Sequence, residues 1–271
     1  YVALNEPYPY EQAQKQDFNI DTWIQKKAKQ GRCPLWLGII FIYGTSDVAK
    51  ASVKDVKQAL KPHCKKIQVI TTGFIKTLEK GLERLPDVWP LKGLIKQAYT
   101  AISAHKLMQG MPQERFLQAA YWRAGQPPAS GKNLDPGRDG CGLIWFAPYV
   151  PFKGSDIQSF QNITKEVCAR YGIFPIFSMT TLSTQGMSAL LPIMFDPKTE
   201  NDKAHACHRA LFEACQAHGY LPYRAHLESM TWYTQGQDED YWKAVRKTKQ
   251  HLDPEHIISP GRYDGRGAKG A

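Results

Sequence analysis

The chain has 271 residues, 42% of them hydrophobic and 22% charged, with 35 Lys+Arg against 25 Asp+Glu for a net charge of +10. That length can bury one large or two modest cores, and the apolar content argues against a disordered chain. Basic groups such as Lys26-Lys27-Ala28-Lys29 and Lys65-Lys66 are interspersed with acids and lack interleaved aromatics, so the charge permits an anionic partner without marking a nucleic-acid platform.

No apolar run of about eighteen residues exists, which gives no membrane span. The six cysteines, at 33, 64, 141, 168, 207 and 215, have neither metal-type Cys-x-x-Cys spacing nor a dense disulfide pattern. The chain starts at Tyr1 without a methionine or a signal-type segment, so it reads as a processed or truncated product, and cytoplasm and periplasm both stay open.

A short helix is expected over residues 21–29. Residues 36–43 form a continuous apolar run of strand length, Gly44-Thr45-Ser46-Asp47 supplies a turn and helix N-cap, and Val53, Val56 and Leu60 follow at helical spacing until Pro62. Residues 67–71 read as a second strand, completing a β-α-β unit. Residues 73–123 look mainly helical, and 124–140 is a long loop.

A second unit begins with a strand over 142–149. Gly154-Ser155-Asp156 caps a helix whose Ile157, Phe160, Thr164, Val167 and Tyr171 share a face, with Gly172 at the C-terminal position where glycine is favoured. Two apolar runs, 174–182 and 189–195, predict an antiparallel hairpin in which Pro192 marks an edge or bulge. A helix over 201–217 closes the unit. The expected fold is α+β: duplicated β-α-β units forming a largely antiparallel sheet with helices on one side.

Two stretches carry candidate chemistry. Gly219-Tyr220-Leu221-Pro222-Tyr223-Arg224-Ala225-His226-Leu227 places a phenol beside a guanidinium, and such a pair holds an anionic oxygen through one O–H donor and a rigid fork of N–H donors. The second runs from Leu252-Asp253-Pro254 to Ser259-Pro260-Gly261-Arg262-Tyr263. His205, Cys207, His208, Cys215 and His218 look metal-like as a set, but Cys207, Leu211, Ala214 and His218 fall on one helical stripe, which favours core packing over zinc. No Gly-rich phosphate-binding turn is present.

In this order, Tyr43-Gly44-Thr45, Tyr121-Trp122-Arg123, Trp145-Phe146-Ala147-Pro148 and the two stretches above resemble the flavin-dependent 4-alkylphenol oxidoreductases, the vanillyl-alcohol oxidase and p-cresol methylhydroxylase family. The resemblance covers roughly residues 35–263, the cap domain and C-terminal segment, with the expected fold being a ferredoxin-like cap. It implies a cap domain over 1–222, a segment over 223–271 returning to the flavin domain, and an N-terminal FAD-binding domain or companion chain outside these residues.

By the same resemblance, Tyr223 and Arg224 bind the phenolate of a para-substituted phenol while hydride passes from its benzylic carbon to FAD. Gly261 and Arg262 bring a cation to the flavin. The histidine that one branch uses for covalent attachment would fall near Leu143, and no histidine occurs between His105 and His205, so histidyl linkage is not expected. Tyr121 is the candidate for tyrosyl linkage, and Cys141 is a weaker thiolate candidate. Non-covalent FAD is the default. The family's histidine pair on the hairpin is replaced near Ser188-Ala189. Oxygen and a cytochrome both stand as electron acceptors. The alternative reading is a non-catalytic cap-fold module that uses its positive charge to meet an acidic partner.

Overall fold

The computed structural model describes residues 8–15, 18–30, 36–82, 92–124, 133–234 and 239–263. The chain divides into two compact units: the described residues of Asp21–Ala119 and Pro127–Asp135, and those of Pro7–Ile20, Ala120–Gln126 and Pro136–Ala271.

Helix α1 (Tyr10–Ala13) belongs to the second unit, and the first unit is helical, with α2 (Ile20–Lys29) leading into it. Helix α3 (Ser46–Leu60) follows Thr45, whose extended backbone occupies the N-cap position, although its side chain makes no capping bond. Val53, Val56 and Leu60 form its half-buried side, as the helical spacing requires. Helices α4 (Thr72–Leu82) and α5 (Lys92–Met108) pack together, with Ile75 and Ile102 buried and Lys106 paired to Glu79 at 2.6 Å. A 3-10 helix, Glu114–Tyr121, follows.

The two strands expected at 36–43 and 67–71 are not observed, and the first β-α-β unit reduces to its helix. Trp36, Leu37, Ile39 and Ile40 are each more than half exposed. A helix closes its hydrogen bonds within itself, whereas an apolar run becomes a strand only when another segment supplies its partners.

The second unit contains β1 (Gly142–Phe146), β2 (Tyr149–Pro151), α6 (Gly154–Arg170), β3 (Ser178–Thr181), β4 (Gly186–Phe195), α7 (Asn201–Gln216), α8 (Met230–Thr234) and α9 (Glu239–Leu252). The single strand expected over 142–149 is two strands divided at Ala147-Pro148, yet both pair antiparallel with β4 in one register: Phe146 faces Leu191 and Tyr149 faces Ser188. β3 and β4 form the expected hairpin, with Thr181 opposite Met187.

Ala189 N donates to Pro148 O, so the odd-numbered residues of β4 carry the bonds to β1 and β2. Pro192, opposite Trp145, therefore turns its missing N–H toward the other side, beyond Leu190, where β3 has ended. The same alternation buries Ala189, Leu191, Ile193 and Phe195 with Phe146 of β1, Phe160, Val167 and Cys168 of α6, and Cys207, Leu211 and Cys215 of α7. Each large side chain buried here contributes about 1.5–3 kcal/mol.

This antiparallel sheet, backed by α6 and α7, realises the expected α+β fold. Helix α6 starts after Lys153 without a side-chain cap, so the capping role given to Ser155 and Asp156 is not seen. Gly172 has φ +57, the left-handed conformation for which glycine was expected. His218 departs from the expected packing stripe: it is exposed, past the end of α7, while His208 is buried in its place.

Candidate functional site

After α7 the chain turns at Gly219 and runs antiparallel to the β1–β2 junction. Tyr149 N donates to Leu221 O at 2.8 Å and Tyr223 N to Ala147 O at 3.2 Å, on either side of a bridge between Pro148 and Pro222. Pro148 separates β1 from β2, and this third segment ties the junction. Tyr223 lies opposite Ala147, so it shares the sheet face of Trp145, the face away from the α6–α7 core. Tyr223 is 47% exposed and Trp145 45%. The Arg224 guanidinium sits 5.3 Å from the Tyr223 ring centroid.

His226 continues this segment, its Nε2 3.4 Å from Trp145 O. Beneath it lies His208, with ring centroids 6.3 Å apart. Burial, with smaller contributions from His226 and His205, pushes the His208 pKa down to about 4, so the imidazole is neutral at pH 7. Among the described residues, no group of His, Cys, Asp and Glu is arranged to hold a metal ion. Cys168, Cys207 and Cys215 are buried free thiols that serve as core side chains.

The second stretch is organised by Asp253, a residue that the sequence reading did not single out. Its carboxylate accepts from Lys249 Nζ and from the backbone N–H groups of Ile257 and Ile258, both at 3.0 Å. The Lys249 bond and those two N–H groups hold its pKa below the usual carboxylate value. Lys249 Nζ also reaches Ile258 O. Within this knot the backbone is left-handed at His256, and beyond it at Ser259, Gly261 and Tyr263, with φ of 52, 47, 73 and 48°. Arg262 stands exposed in this loop.

The two stretches meet: Ala225 N donates to Tyr263 Oη at 2.8 Å. The residue after Arg224 is thus bonded to the residue after Arg262. Among the described residues, neither guanidinium has an acid within ion-pair distance. Arg123, Arg138, Arg209 and Arg246 are all paired, with Glu200, Asp139, Glu213 and Glu239.

Tyr121 is not brought to this place. It is buried, and its hydroxyl donates to Asp139 Oδ2 at 2.6 Å, while Arg138 bonds both oxygens of the same carboxylate. Arg123 bonds Glu200 at 3.0 Å and lies 4.1 Å from the Tyr10 ring centroid. This corner precedes the first residue of β1, whereas Tyr223 lies past its last. Five strand residues, about 17 Å at roughly 3.4 Å each, intervene. The Cys141 thiol beside this corner is pushed up by burial and by the Asp139 charge, which keeps it protonated at neutral pH. An open cleft of about 510 Å³ adjoins this corner, lined by Arg123, Arg138, Asp139, Phe195, Asp196 and Lys198 among others.

Residues 150–263 match the family described as FAD linked oxidases, C-terminal domain. The chain is 30% identical over 271 residues to 1'-carboxy-chondrochloren decarboxylase of Chondromyces crocatus, covering 98% of this chain and 48% of that protein. It is 23% identical over 244 residues to the flavoprotein subunit of 4-cresol dehydrogenase (hydroxylating) of Pseudomonas putida, covering 89% of this chain and 40% of that protein.

The chain therefore spans half or less of the length of these curated relatives. Among solved structures it resembles p-cresol methylhydroxylase with substrate bound, at TM-score 0.57 and 22% identity over 82% of this chain and 36% of that one. It also resembles the isoeugenol complex of 4-ethylphenol oxidase from Gulosibacter chungangensis, at TM-score 0.60 and 17% identity over 83% and 38%. Those likenesses show the fold alone, and the family that residues 150–263 match is one of FAD-linked oxidases, which implies FAD. Among the described residues, no helix is long and apolar enough to cross a membrane.

Proposed function

We propose that this chain is the substrate-domain part of an FAD-dependent oxidoreductase that binds a para-substituted phenol as its phenolate. In this reading residues 1–222 cover the substrate, residues 223–271 return to the flavin domain, and that domain lies in a further part of the protein or a companion chain. The observation that carries the reading is the pair of acid-free guanidiniums, Arg224 and Arg262, on two segments joined by the Ala225–Tyr263 hydrogen bond.

A phenol ordinarily ionises near pH 10, so holding it as phenolate near neutrality needs a cation and hydrogen-bond donors. Arg224 supplies the charge and Tyr223 an O–H donor on the exposed sheet face. Were Arg224 already paired with an acid, as Arg123 is, that charge would be spoken for. Arg262 meets the corresponding requirement of a flavin, whose pyrimidine edge gains negative charge on reduction and needs a cation without an internal counter-ion. FAD, when bound, accepts the benzylic hydride. Non-covalent FAD suits the geometry better than linkage through Tyr121, whose buried hydroxyl is engaged by Asp139.

Loss of hydride from the phenolate leaves a quinone methide on the substrate. Water adds to it, or a proton is lost from the side chain. The decarboxylase relative supports a second outcome at the same site. If the carbon next to the benzylic one carries a carboxylate, that group leaves as CO2, its bonding pair forms the new C=C bond, and the ring returns to phenolate.

The test uses the full-length flavoprotein. Flavin reduction is followed with 4-ethylphenol, vanillyl alcohol and 3-(4-hydroxyphenyl)propanoate, with CO2 measured for the acid and oxygen and cytochrome c compared as acceptors. Reduction by at least one phenol, abolished in Arg224→Ala, is expected. Reduction that is unaltered in Arg224→Ala overturns the role of Arg224.

A further inference from the structure

Tyr263 lies where the segments of Arg224 and Arg262 join. Its hydroxyl oxygen accepts from Ala225 N at 2.8 Å, its own backbone N–H donates toward Met230 Sδ at 3.4 Å, and its ring stands edge-on to Tyr233 at 5.8 Å and 88°. Its φ of +48° is a conformation that a bulky side chain adopts only when its surroundings impose it. Three attachments from three directions meet that condition. The segment that it holds is itself fixed from the other end by the Asp253 knot.

We infer that Tyr263 is a positioning residue that sets Arg224 against Arg262, so that a phenolate and the flavin edge are addressed in one fixed geometry; the inference rests on the phenolate reading of Arg224. The physical need is plain. A guanidinium on an exposed loop loses directional value unless its backbone is fixed, because each degree of freedom left to it must be frozen when the ligand binds. Ala225 is the residue next to Arg224, and its N–H is bonded to a side chain 38 residues away, so the Arg224 backbone is anchored from the C-terminal loop. A tyrosine at this position therefore does what its fully apolar analogue does only in part: the ring packs on Tyr233, and the hydroxyl oxygen completes the tether.

The full-length flavoprotein is titrated with 4-hydroxybenzaldehyde, whose phenolate absorbs at longer wavelength than its phenol, so affinity and ionisation are read together across pH. Tyr263→Phe keeps the ring and removes one hydrogen-bond acceptor. Phenolate binding is expected to weaken about fivefold, the size of one net hydrogen bond, with the ionisation of the bound probe moved to higher pH. The deciding measurement is the pair of variants. In an Arg224→Ala background, Tyr263→Phe should cost nothing further, because a positioning residue has nothing left to position.

An unchanged titration in Tyr263→Phe, or the same fivefold loss with and without Arg224, overturns the inference while leaving the phenolate reading intact. Arg224→Ala binding as tightly as the wild type overturns that reading and this inference with it. If Tyr263→Phe does not fold, Met230→Leu, which removes the sulfur acceptor of Tyr263 N–H, carries the same comparison: a smaller loss that vanishes without Arg224 supports the inference, and no loss or an Arg224-independent loss overturns it.

Discussion

The two ends of β1 use arginine in opposite ways. At the Gly142 end, Arg123 and Arg138 are bound by Glu200 and Asp139, and Tyr121 is locked onto the same Asp139. At the Phe146 end, Arg224 and Arg262 stand without acids on segments tied to each other through the backbone of residue 225. A guanidinium neutralised by a carboxylate holds the fold together. One that is fixed by its backbone and left unneutralised is available to an anion. Composition counts these arginines alike, and the difference lies in what the fold sets beside them.

The sharpest way to break the contrast is Arg224→Ala, expected to lower kcat/KM for a phenol in the full-length flavoprotein by on the order of 10²–10³-fold, since it removes the charge proposed to hold the phenolate. Steady-state kinetics on the phenol that reduces the flavin fastest measures it.

Arg123→Ala should do the reverse, leaving phenol binding unchanged while lowering stability by about 3 kcal/mol, because it strands Glu200 in a pair whose side chains are only 19% and 11% exposed. Urea denaturation gives the loss, and a weakened phenol titration would contradict the division of labour.

The sheet joining the two ends should respond to acid through His208. Folded, this imidazole titrates at about 4; unfolded, near 6.5. The unfolded chain therefore binds the extra proton first. The contribution is fully present above pH 6.5 and is lost as pH falls from there toward 4, by about 3 kcal/mol in all. A denaturation series over that range measures it, and His208→Phe should flatten the profile.

The smallest effect is expected of Arg262→Ala: flavin reduction slowed about tenfold with phenol affinity kept, as one exposed charge is removed from the proposed flavin side alone. Stopped-flow reduction separates this from the Arg224 phenotype.

Much of this architecture was legible in the chain. The helices over 46–60, 154–170 and 201–216 follow from apolar spacing, and the hairpin of β3 and β4 from two apolar runs around a Gly-containing turn. Gly172 was read correctly as a left-handed terminus because only a residue without Cβ enters that conformation freely. The strands at 36–43 and 67–71 were misread, since an apolar run does not contain its own partner. The stripe that appeared to include His218 was misread at its end, because α7 stops at Gln216 before that residue completes the turn.

The candidate site was legible as two stretches and not as one place. Tyr223 and Arg224 stood out as residue types that hold an anion, and Gly261 and Arg262 through the family resemblance, but nothing in their order said that the two stretches touch. Asp253 passed unnoticed because an Asp-Pro pair reads as an ordinary turn, and Tyr263 because a tyrosine after Gly-Arg carries no local signal.

What the sequence determined by itself was everything that closes over a few residues: helical periods, the glycine turn, the hairpin, and the run of motifs resembling one flavoprotein family. Arg138 and Arg209 find their acids close by in the chain, at Asp139 and Glu213, but tertiary structure decided the rest: the carboxylate that neutralises Arg123 lies 77 residues away and the tether beside Arg224 comes from 38. Local hydrogen bonds are written in neighbouring residues; the neighbours of a charge are chosen by the whole fold.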